Sequence, residues 1–291
     1  MRIGVLENEM CSSLSIGDLQ FVKVDARGWR GWVDAKCVDA FSDIDGWLVA
    51  DGRHVVLETP CRTIAKHPFR LGGNDVNVYS KLMCAQNDGA LKKNEIFSLM
   101  KWALGPSRSI RILKTTSMMI SMGHPCPRPL LAVRHRVKSG HHLNLIVTQE
   151  ITAPTVESVV LNGKSEDVKS AVVAAGRDLA KLHADRFLHG DYLPRNTCLE
   201  NGRIVFLDND KTSKWFFMPP FSQRRRNLEQ FAYNLMLLKG LENCNSELPT
   251  MFLEAYFATS PRPDSRRQSD IVLGKARDRW ERRRSRTSKK K

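Results

Sequence analysis

The sequence predicts an α+β fold of two lobes, a small antiparallel β-sheet followed by a larger helical part, and three observations lead there. Short β-rich runs, His54–Leu57, Thr63–Ala65 and Val76–Tyr79, stand close together in the first half with Pro and Gly between them. Past Glu150 the period lengthens, and Val168, Val172, Ala175, Leu179 and Leu182 recur at helical spacing as one buried stripe. Strands gathered in the first half and helices dominating the second favour segregated layers over a parallel βαβ sheet.

Taken in order, residues 1–45 are expected to be an N-terminal extension, in which Val22, Val24, Trp29, Trp32 and Val33 suit a short strand pair about Arg27-Gly28. Residues 46–150 make the first lobe. Its three β-rich runs form an antiparallel meander whose second turn is Gly72-Gly73-Asn74-Asp75. Helical regions are expected at Glu95–Leu104 and Ser107–Met122, the latter ended by Gly123 and the Pro125–Pro129 segment, with strands at Leu130–Val133 and Leu143–Thr148. Residues 151–260 make the second lobe. Ser165 is a plausible N-cap, with Glu166 and Asp167 in the first helical turn. A second helix covers Arg224–Leu238 with Leu228, Phe231, Leu235 and Leu238 on one side, and a third covers Met251–Phe257. The fold is expected to end at Pro261-Arg262-Pro263, which leaves residues 261–291 as a basic tail, either a helix around Trp280 or unstructured and moving independently.

The 291 residues are 42% apolar and 26% charged, values that exclude collagen-like, disordered and disulfide-scaffold classes. The seven cysteines are odd in number and include no C-x-x-C pair, so neither a zinc site nor a disulfide framework is expected, and a reducing compartment fits. There is no apolar leader and no run of apolar residues long enough to span a bilayer, so any membrane is expected to be reached from outside. Charge is more informative. From Ile96 to Gln149 there is no Asp or Glu, and eight basic residues give +8; from Arg277 to Lys291 nine basic residues face Asp278 and Glu281, giving +7. These two stretches account for the whole net charge of +15 (8 + 7), which points to an anionic partner.

The segment that carries chemistry is His189-Gly190-Asp191-Tyr192-Leu193-Pro194-Arg195-Asn196, followed by two short β pieces and Asp208 at the end of the apolar run Ile204–Leu207. Phosphoryl transfer needs these parts: a carboxylate to accept the substrate hydroxyl proton, and an Asn and an Asp to hold magnesium on the phosphates. The H-x-D-x-x-x-x-N spacing matches a kinase catalytic loop with H-G-D in place of H-R-D. Asp191 is then the base, with Asn196 and Asp208 as magnesium ligands. Lys81, at the end of the third meander strand and 110 residues before Asp191 (191 − 81), falls where a kinase lysine holds the α and β phosphates of ATP. Thr148-Gln149-Glu150 is expected to be the hinge whose backbone pairs with adenine. His183 and His189 read as core or local hydrogen-bonding residues, Met118, Met119 and Met122 as helix packing, and Asp210 as either a metal assistant or a strand cap.

With these residues in place the chain resembles the bacterial lipopolysaccharide kinase family, the Kdo and heptose kinases of the lipopolysaccharide core, over about residues 57–256. The stretches that carry the resemblance are Lys101-Trp102-Ala103-Leu104 leading into Pro106-Ser107-Arg108, Gly123-His124-Pro125-Cys126-Pro127-Arg128-Pro129-Leu130, the H-G-D loop with L-D-N-D-K-T, and Arg224-Arg225-Arg226-Asn227-Leu228-Glu229-Gln230-Phe231. The resemblance implies a bilobal protein-kinase-like fold and ATP- and Mg2+-dependent phosphorylation of a core sugar at the cytoplasmic face of the inner membrane.

Two departures from the kinase pattern stand out. The turn that should cover the nucleotide, Glu58-Thr59-Pro60-Cys61-Arg62, has no glycine, so Thr59, Arg62 and backbone amides are left to hold phosphate. Between Lys81 and Glu150 the only acids are Asp88 and Glu95, so the helix at Ser107–Met122 offers Lys114 where a kinase has the Glu that pairs with its lysine. Either Glu95 makes that pair or the pair is absent.

Three functions compete. A core-sugar kinase would use the +8 stretch beside a phosphorylated acceptor and the tail at an anionic bilayer. A protein kinase is disfavoured because only 16 residues separate Asp208 from Arg224 (224 − 208), without an A-P-E element for a peptide platform. A catalytically weak kinase-like module would bind an anionic partner or RNA, but nucleic acid is disfavoured since Trp280 alone interleaves an aromatic with the basic tail.

Overall fold

The computed structural model describes residues 13–84, 107–136, 142–238, 247–260 and 265–288. The chain divides into two compact units, Met1–Ser121 with Pro127–Glu150, and Met122–Cys126 with Ile151–Lys291.

The first unit is built on one eight-stranded sheet: β1 (Ser13–Ile16), β2 (Leu19–Ala26), β3 (Trp29–Asp34), β4 (His54–Thr59), β5 (Arg62–Leu71), β6 (Asn74–Cys84), β7 (Pro129–Arg136) and β8 (His142–Gln149). Their order is β1-β2-β3-β7-β8-β6-β5-β4, and every neighbouring pair is antiparallel. The meander expected over residues 54–81 is β4-β5-β6. Gly72 and Gly73 close its second turn at φ +57° and +87°, the left-handed pair that a two-residue hairpin needs and that a side chain resists.

Residues alternate between the two faces of this sheet. One face carries Trp29, Val33, Phe69, Val78, Leu131, Val133, Leu145 and Val147, packed with Phe41 and Ile44 of the short helix α1 (Ile44–Leu48) and the turn before it. The opposite face carries Phe21, Ala132, Met83 and Ile146, which meet Leu113 and Ile112 of α2 (Arg108–Ser121).

The expected N-terminal extension is a correction. β3 pairs with β7 from Trp29 opposite His135 to Val33 opposite Leu131, so residues 13–34 continue the sheet and are part of its core. Arg128 clasps the buried Asp34 through Nε at 2.9 Å and Nη2 at 2.6 Å. At Gly31 an added Cβ would lie 2.1 Å from the Ala132 carbonyl oxygen, so the two strands approach in a way only glycine allows. Nothing local announces this pairing, because the partner strand lies about a hundred residues away.

The second unit contains α3 (Val156–Asn162), α4 (Ser165–Ala184), β9 (Phe187–Leu188), β10 (Thr197–Glu200), β11 (Arg203–Phe206), β12 (Ser213–Lys214), α5 (Phe221–Leu238), α6 (Leu248–Thr259) and α7 (Ser265–Ser288). The stripe Val168, Val172, Ala175, Leu179 and Leu182 is buried as its spacing predicts. Gly176 lets α4 lie directly on α6, where an added Cβ would meet the Phe252 carbonyl oxygen at 2.2 Å. Ser165 is the first residue of α4 and not its cap, since Lys164 holds the cap position without a side-chain bond.

The boundary at residue 261 is the second correction. The tail forms α7, and Val272, Ala276 and Trp280, spaced four apart, are buried; Ala276 and Trp280 pack with Ala232, Tyr233 and Met236 of α5. The charge of the segment hides an apolar stripe one residue wide. Truncation after Gly274 would cut a docked helix in two.

Candidate active site

β9 leads straight into the H-G-D loop, and His189 sits buried between Tyr192 and Phe206, with ring centroids 5.7 and 6.2 Å away. Its Nε2 lies 2.9 Å from the Leu207 carbonyl, and the Asp191 amide lies 3.3 Å from its Nδ1. A carbonyl only accepts and an amide N–H only donates, so Nε2 carries the hydrogen and the ring is neutral. Burial pushes its pKa down, against the opposing pull of the Leu207 carbonyl and of the Asp208 and Asp191 carboxylates.

Asn196 completes the loop. Its Nδ2 donates to the Asp191 carbonyl at 2.9 Å and reaches the Asp191 carboxylate at 3.5 Å. The Leu207 amide donates to the Asn196 carbonyl at 2.9 Å, so the residue just before Asp208 is bonded to both ends of the loop, through His189 and through Asn196. Asp208 itself turns into the left-handed region at φ +50°, ψ +55°, a conformation that strains a residue with a Cβ and redirects the side chain as the strand ends. The structure thus brings Asp191 and Asn196 together and places Asp208 directly after the residue whose amide bonds Asn196. Asp210 follows as a buried residue in the turn Asn209–Lys211.

His183 is the buried hydrogen-bonding residue the sequence suggests, while Asn227, Tyr256, Arg224 and Asp178, which also hold this loop in place, have no role in the sequence reading. Asn227 of α5 donates its Nδ2 to the His189 carbonyl, and its Oδ1 accepts from His183 Nε2 at 3.1 Å. The other nitrogen of His183 accepts from the Tyr256 hydroxyl at 2.9 Å, and that oxygen accepts from Arg224 Nη1 at 3.0 Å. Each member is buried, and each hydrogen has one place to go. Burial pushes the His183 imidazole down to about 3, with Arg224 and His189 adding to it. Asp178 on α4 fixes the hairpin by accepting from the Ile204 amide at 2.9 Å. Burial would raise its carboxyl, but the hydrogen bond from Arg177 and that from Ile204 hold it below the usual value. The signal for these residues is polar side chains on otherwise apolar helix faces, which spacing alone cannot separate from solvent-facing ones.

In the first unit, Lys81 lies inside β6, opposite Ile64 of β5 and Ile146 of β8, because the strand runs on to Cys84. Cross-strand partners share a face, so Lys81 is on the α2 side with Met83 and Ile146, and Arg62, opposite Met83, is on that face too. Thr59 is a correction. Its hydroxyl donates to the Arg62 carbonyl at 3.1 Å, which spends the hydrogen a phosphate oxygen would need. The same turn is tied to β6 by the Cys84 amide on the Cys61 carbonyl at 3.0 Å.

At the expected hinge the backbone is partly engaged. The Gln149 amide donates to the Arg128 carbonyl and the Glu150 amide to the Asn77 carbonyl, both at 2.9 Å, so neither N–H is left for adenine and only their carbonyls could take part. The Glu150 carboxylate is held by Lys66 at 2.6 Å, Asn77 at 2.9 Å and Tyr79 at 3.3 Å. Burial would raise it, and these bonds, Lys66 first, hold it below the ordinary carboxylate value. On α2, Lys114 is exposed, and the buried face that meets the sheet carries Ile112, Leu113, Thr116 and Met119 with no acid. Glu95 and the expected helix at 95–104 lie outside the described residues.

No family model and no curated protein sequence matches the chain. Solved structures match its fold. The structure of WaaP in complex with acyl carrier protein superposes with a TM-score of 0.50 at 16% identity, covering 78% of this chain and 87% of that chain. The ROP18 kinase domain in complex with AMP-PNP and sucrose gives a TM-score of 0.41 at 11% identity over 78% of this chain and 82% of that one. The five-strand order β4-β5-β6-β8-β7, the H-G-D loop, the hairpin and the strand-end acid all follow the kinase plan. The chain therefore has a protein-kinase-like α+β fold, the fold it shares with WaaP, enlarged on one sheet edge by β1-β2-β3.

Proposed function

We propose that this protein is an ATP-dependent phosphotransferase that phosphorylates a sugar hydroxyl of the lipopolysaccharide core, Kdo or heptose, on the cytoplasmic side of the inner membrane. The observation that carries this reading is the bonded loop that fixes Asp191 and Asn196 beside Asp208. In the reaction the acceptor oxygen bonds to the γ-phosphorus, the bond to the β,γ-bridging oxygen breaks, ADP leaves, and the hydroxyl proton passes to Asp191. Lys81 and Arg62 serve the nucleotide phosphates. The donors present fit magnesium delivered on those phosphates: the Asp208 carboxylate and the Asn196 amide oxygen are hard ligands, and a nucleotide-borne ion needs only one or two from the protein. Among the described residues no cluster of three or more His, Cys, Asp or Glu could hold a metal by itself. When bound, the ion neutralises charge on the phosphates.

The resemblance read from the sequence supplies the sugar acceptor and the membrane side. For the anionic membrane partner, α7 replaces the free tether first expected. It presents Arg279, Arg282 and Arg283 with Tyr233 around one recess, and Arg279 stacks over the Tyr233 ring at 4.5 Å. A catalytically weak module is the second reading, favoured by the committed Thr59 hydroxyl and the acid-free face of α2. Transfer of labelled phosphate from ATP to purified lipid A-core separates the two. Wild type should label it and Asp191→Asn should not; no label from wild type would favour the weak module.

A further inference from the structure

Between β12 and α5 the chain holds two phenylalanines out into solvent. Phe216 and Phe217 are 80% and 74% exposed, the two most exposed aromatic residues described, and their rings touch edge to face at 4.7 Å. Exposure on this scale in adjacent aromatics is uncommon for a surface with no partner. The loop is not slack. On its entry side Lys214 pairs with Phe187, the Trp215 amide donates to the Arg186 carbonyl at 2.8 Å, and Arg186 Nη1 donates to the Phe216 carbonyl at 2.9 Å. On its exit side the buried Arg224 donates Nε to the Pro219 carbonyl at 3.0 Å, and Pro220 leads directly into α5. These bonds hold the loop's backbone at Trp215, Phe216 and Pro219.

The charge around them selects the partner. From Lys211 to Leu228 there is no Asp or Glu, while Lys211, Lys214, Arg224, Arg225 and Arg226 are basic. Arg224 is buried and Arg225 pairs with Glu229, while Lys211 and Arg226 are exposed in the flanking chain and the exposed Arg186, bonded to the Phe216 carbonyl, sets a cation against the tip itself. An apolar tip with a cation beside it and no acid in its own loop fits the interface of an anionic bilayer, where rings enter the headgroup boundary and cations meet lipid phosphate. A second copy fits poorly, since two phenylalanines bury on the order of 500 Å2 at most, below a stable dimer's area, and like charges would face each other. No helix among the described residues is long and apolar enough to cross a membrane.

We propose that the Phe216-Phe217 loop inserts into the interfacial region of an anionic lipid bilayer, as a membrane contact separate from the arginines of α7. The inference does not need the phosphotransfer reading. The test is co-sedimentation of the full chain with vesicles of phosphatidylglycerol and phosphatidylethanolamine, without nucleotide. The double variant Phe216→Ser/Phe217→Ser should partition at least about tenfold more weakly than wild type, the order expected for apolar burial of even one ring, with its thermal midpoint unchanged. Phe217→Trp keeps an apolar side chain and reports insertion directly: its added emission should shift to the blue on vesicles and be quenched by brominated acyl chains. Partition of the double variant equal to wild type would overturn the proposal, as would Phe217→Trp emission indifferent to bound vesicles. So would a wild-type dimer that the double substitution makes monomeric without weakening vesicle binding. Phosphate transfer to a short soluble acceptor, measured on the same proteins, should not change with the double substitution. Its failure in wild type would count against the proposed function and leave the vesicle result standing.

Discussion

The side-chain amide of Asn227 donates to the main-chain carbonyl of His189, so a helix that begins only at Phe221 grips the residue that opens the catalytic loop. Through its Oδ1 the same amide takes the hydrogen of His183, which extends the grip to Tyr256 and Arg224. Asn227→Ala should therefore leave a buried carbonyl and a buried imidazole N–H unpartnered, at about 1–3 kcal/mol each. Asn227→Asp keeps an acceptor for His183 but faces the His189 carbonyl with a carboxylate, and should also fail. Denaturant melts alongside turnover would check this, with activity expected to drop further than stability explains.

Asp208→Ala should abolish magnesium-dependent stabilisation by ATP while preserving the fold. The residue stands in a strained left-handed turn and makes no core of its own. Relief of part of that strain is not expected from alanine, which also carries a Cβ. Thermal shift with ATP and magnesium, compared with ATP and a chelator, reads the outcome; an equal shift in both proteins would remove Asp208 from the metal.

Acid should destabilise the second unit well before its carboxylates titrate. His183 is pushed down to about 3 in the folded protein, against 6.5 for an ordinary imidazole. Between these values the unfolded chain binds a proton that the folded state refuses, so stability is full above about pH 6.5 and falls as pH drops below it. His189 and His124 are shifted the same way by burial and add to the slope. Thermal midpoints between pH 7.5 and 5 should decline, and His183→Gln should flatten part of the decline.

Trp280→Ala should cost about 3–5 kcal/mol, the usual range for emptying a buried aromatic site. Its ring fills the contact between α7 and α5, next to Ala232, Tyr233 and Met236. Removing residues 275–291 should do at least as much damage, in contrast to the harmless loss of a free tail. Urea melts of the three proteins would show it, and a truncation as stable as the full chain would mean α7 does not dock.

Gly31→Ala should weaken the join between β3 and β7, since its Cβ would fall 2.1 Å from the Ala132 oxygen. The expected sign is a lower thermal midpoint than wild type, read from thermal melts of the full chain.

The sequence by itself determined whatever is encoded over short spans. The Gly72-Gly73 hairpin, the α4 stripe from Val168 to Leu182, and the spacing of Asp191, Asn196 and Asp208 all rest on neighbours within about twenty residues, where periodicity and turn chemistry act directly. Tertiary structure alone decided the rest. Residues 13–34 read as an extension because the partner of β3 lies on β7, and residues 261–291 read as a tail because Ala276 and Trp280 among many arginines have meaning only once α5 offers them a surface. Thr59, Gln149 and Glu150 were reasonable nucleotide contacts by position. The folded backbone commits the Thr59 hydroxyl hydrogen and the Gln149 and Glu150 amide hydrogens elsewhere. Asn227, His183, Tyr256 and Arg224 came together from three helices, and a buried polar group finds its partner only when packing has excluded the water that would otherwise serve.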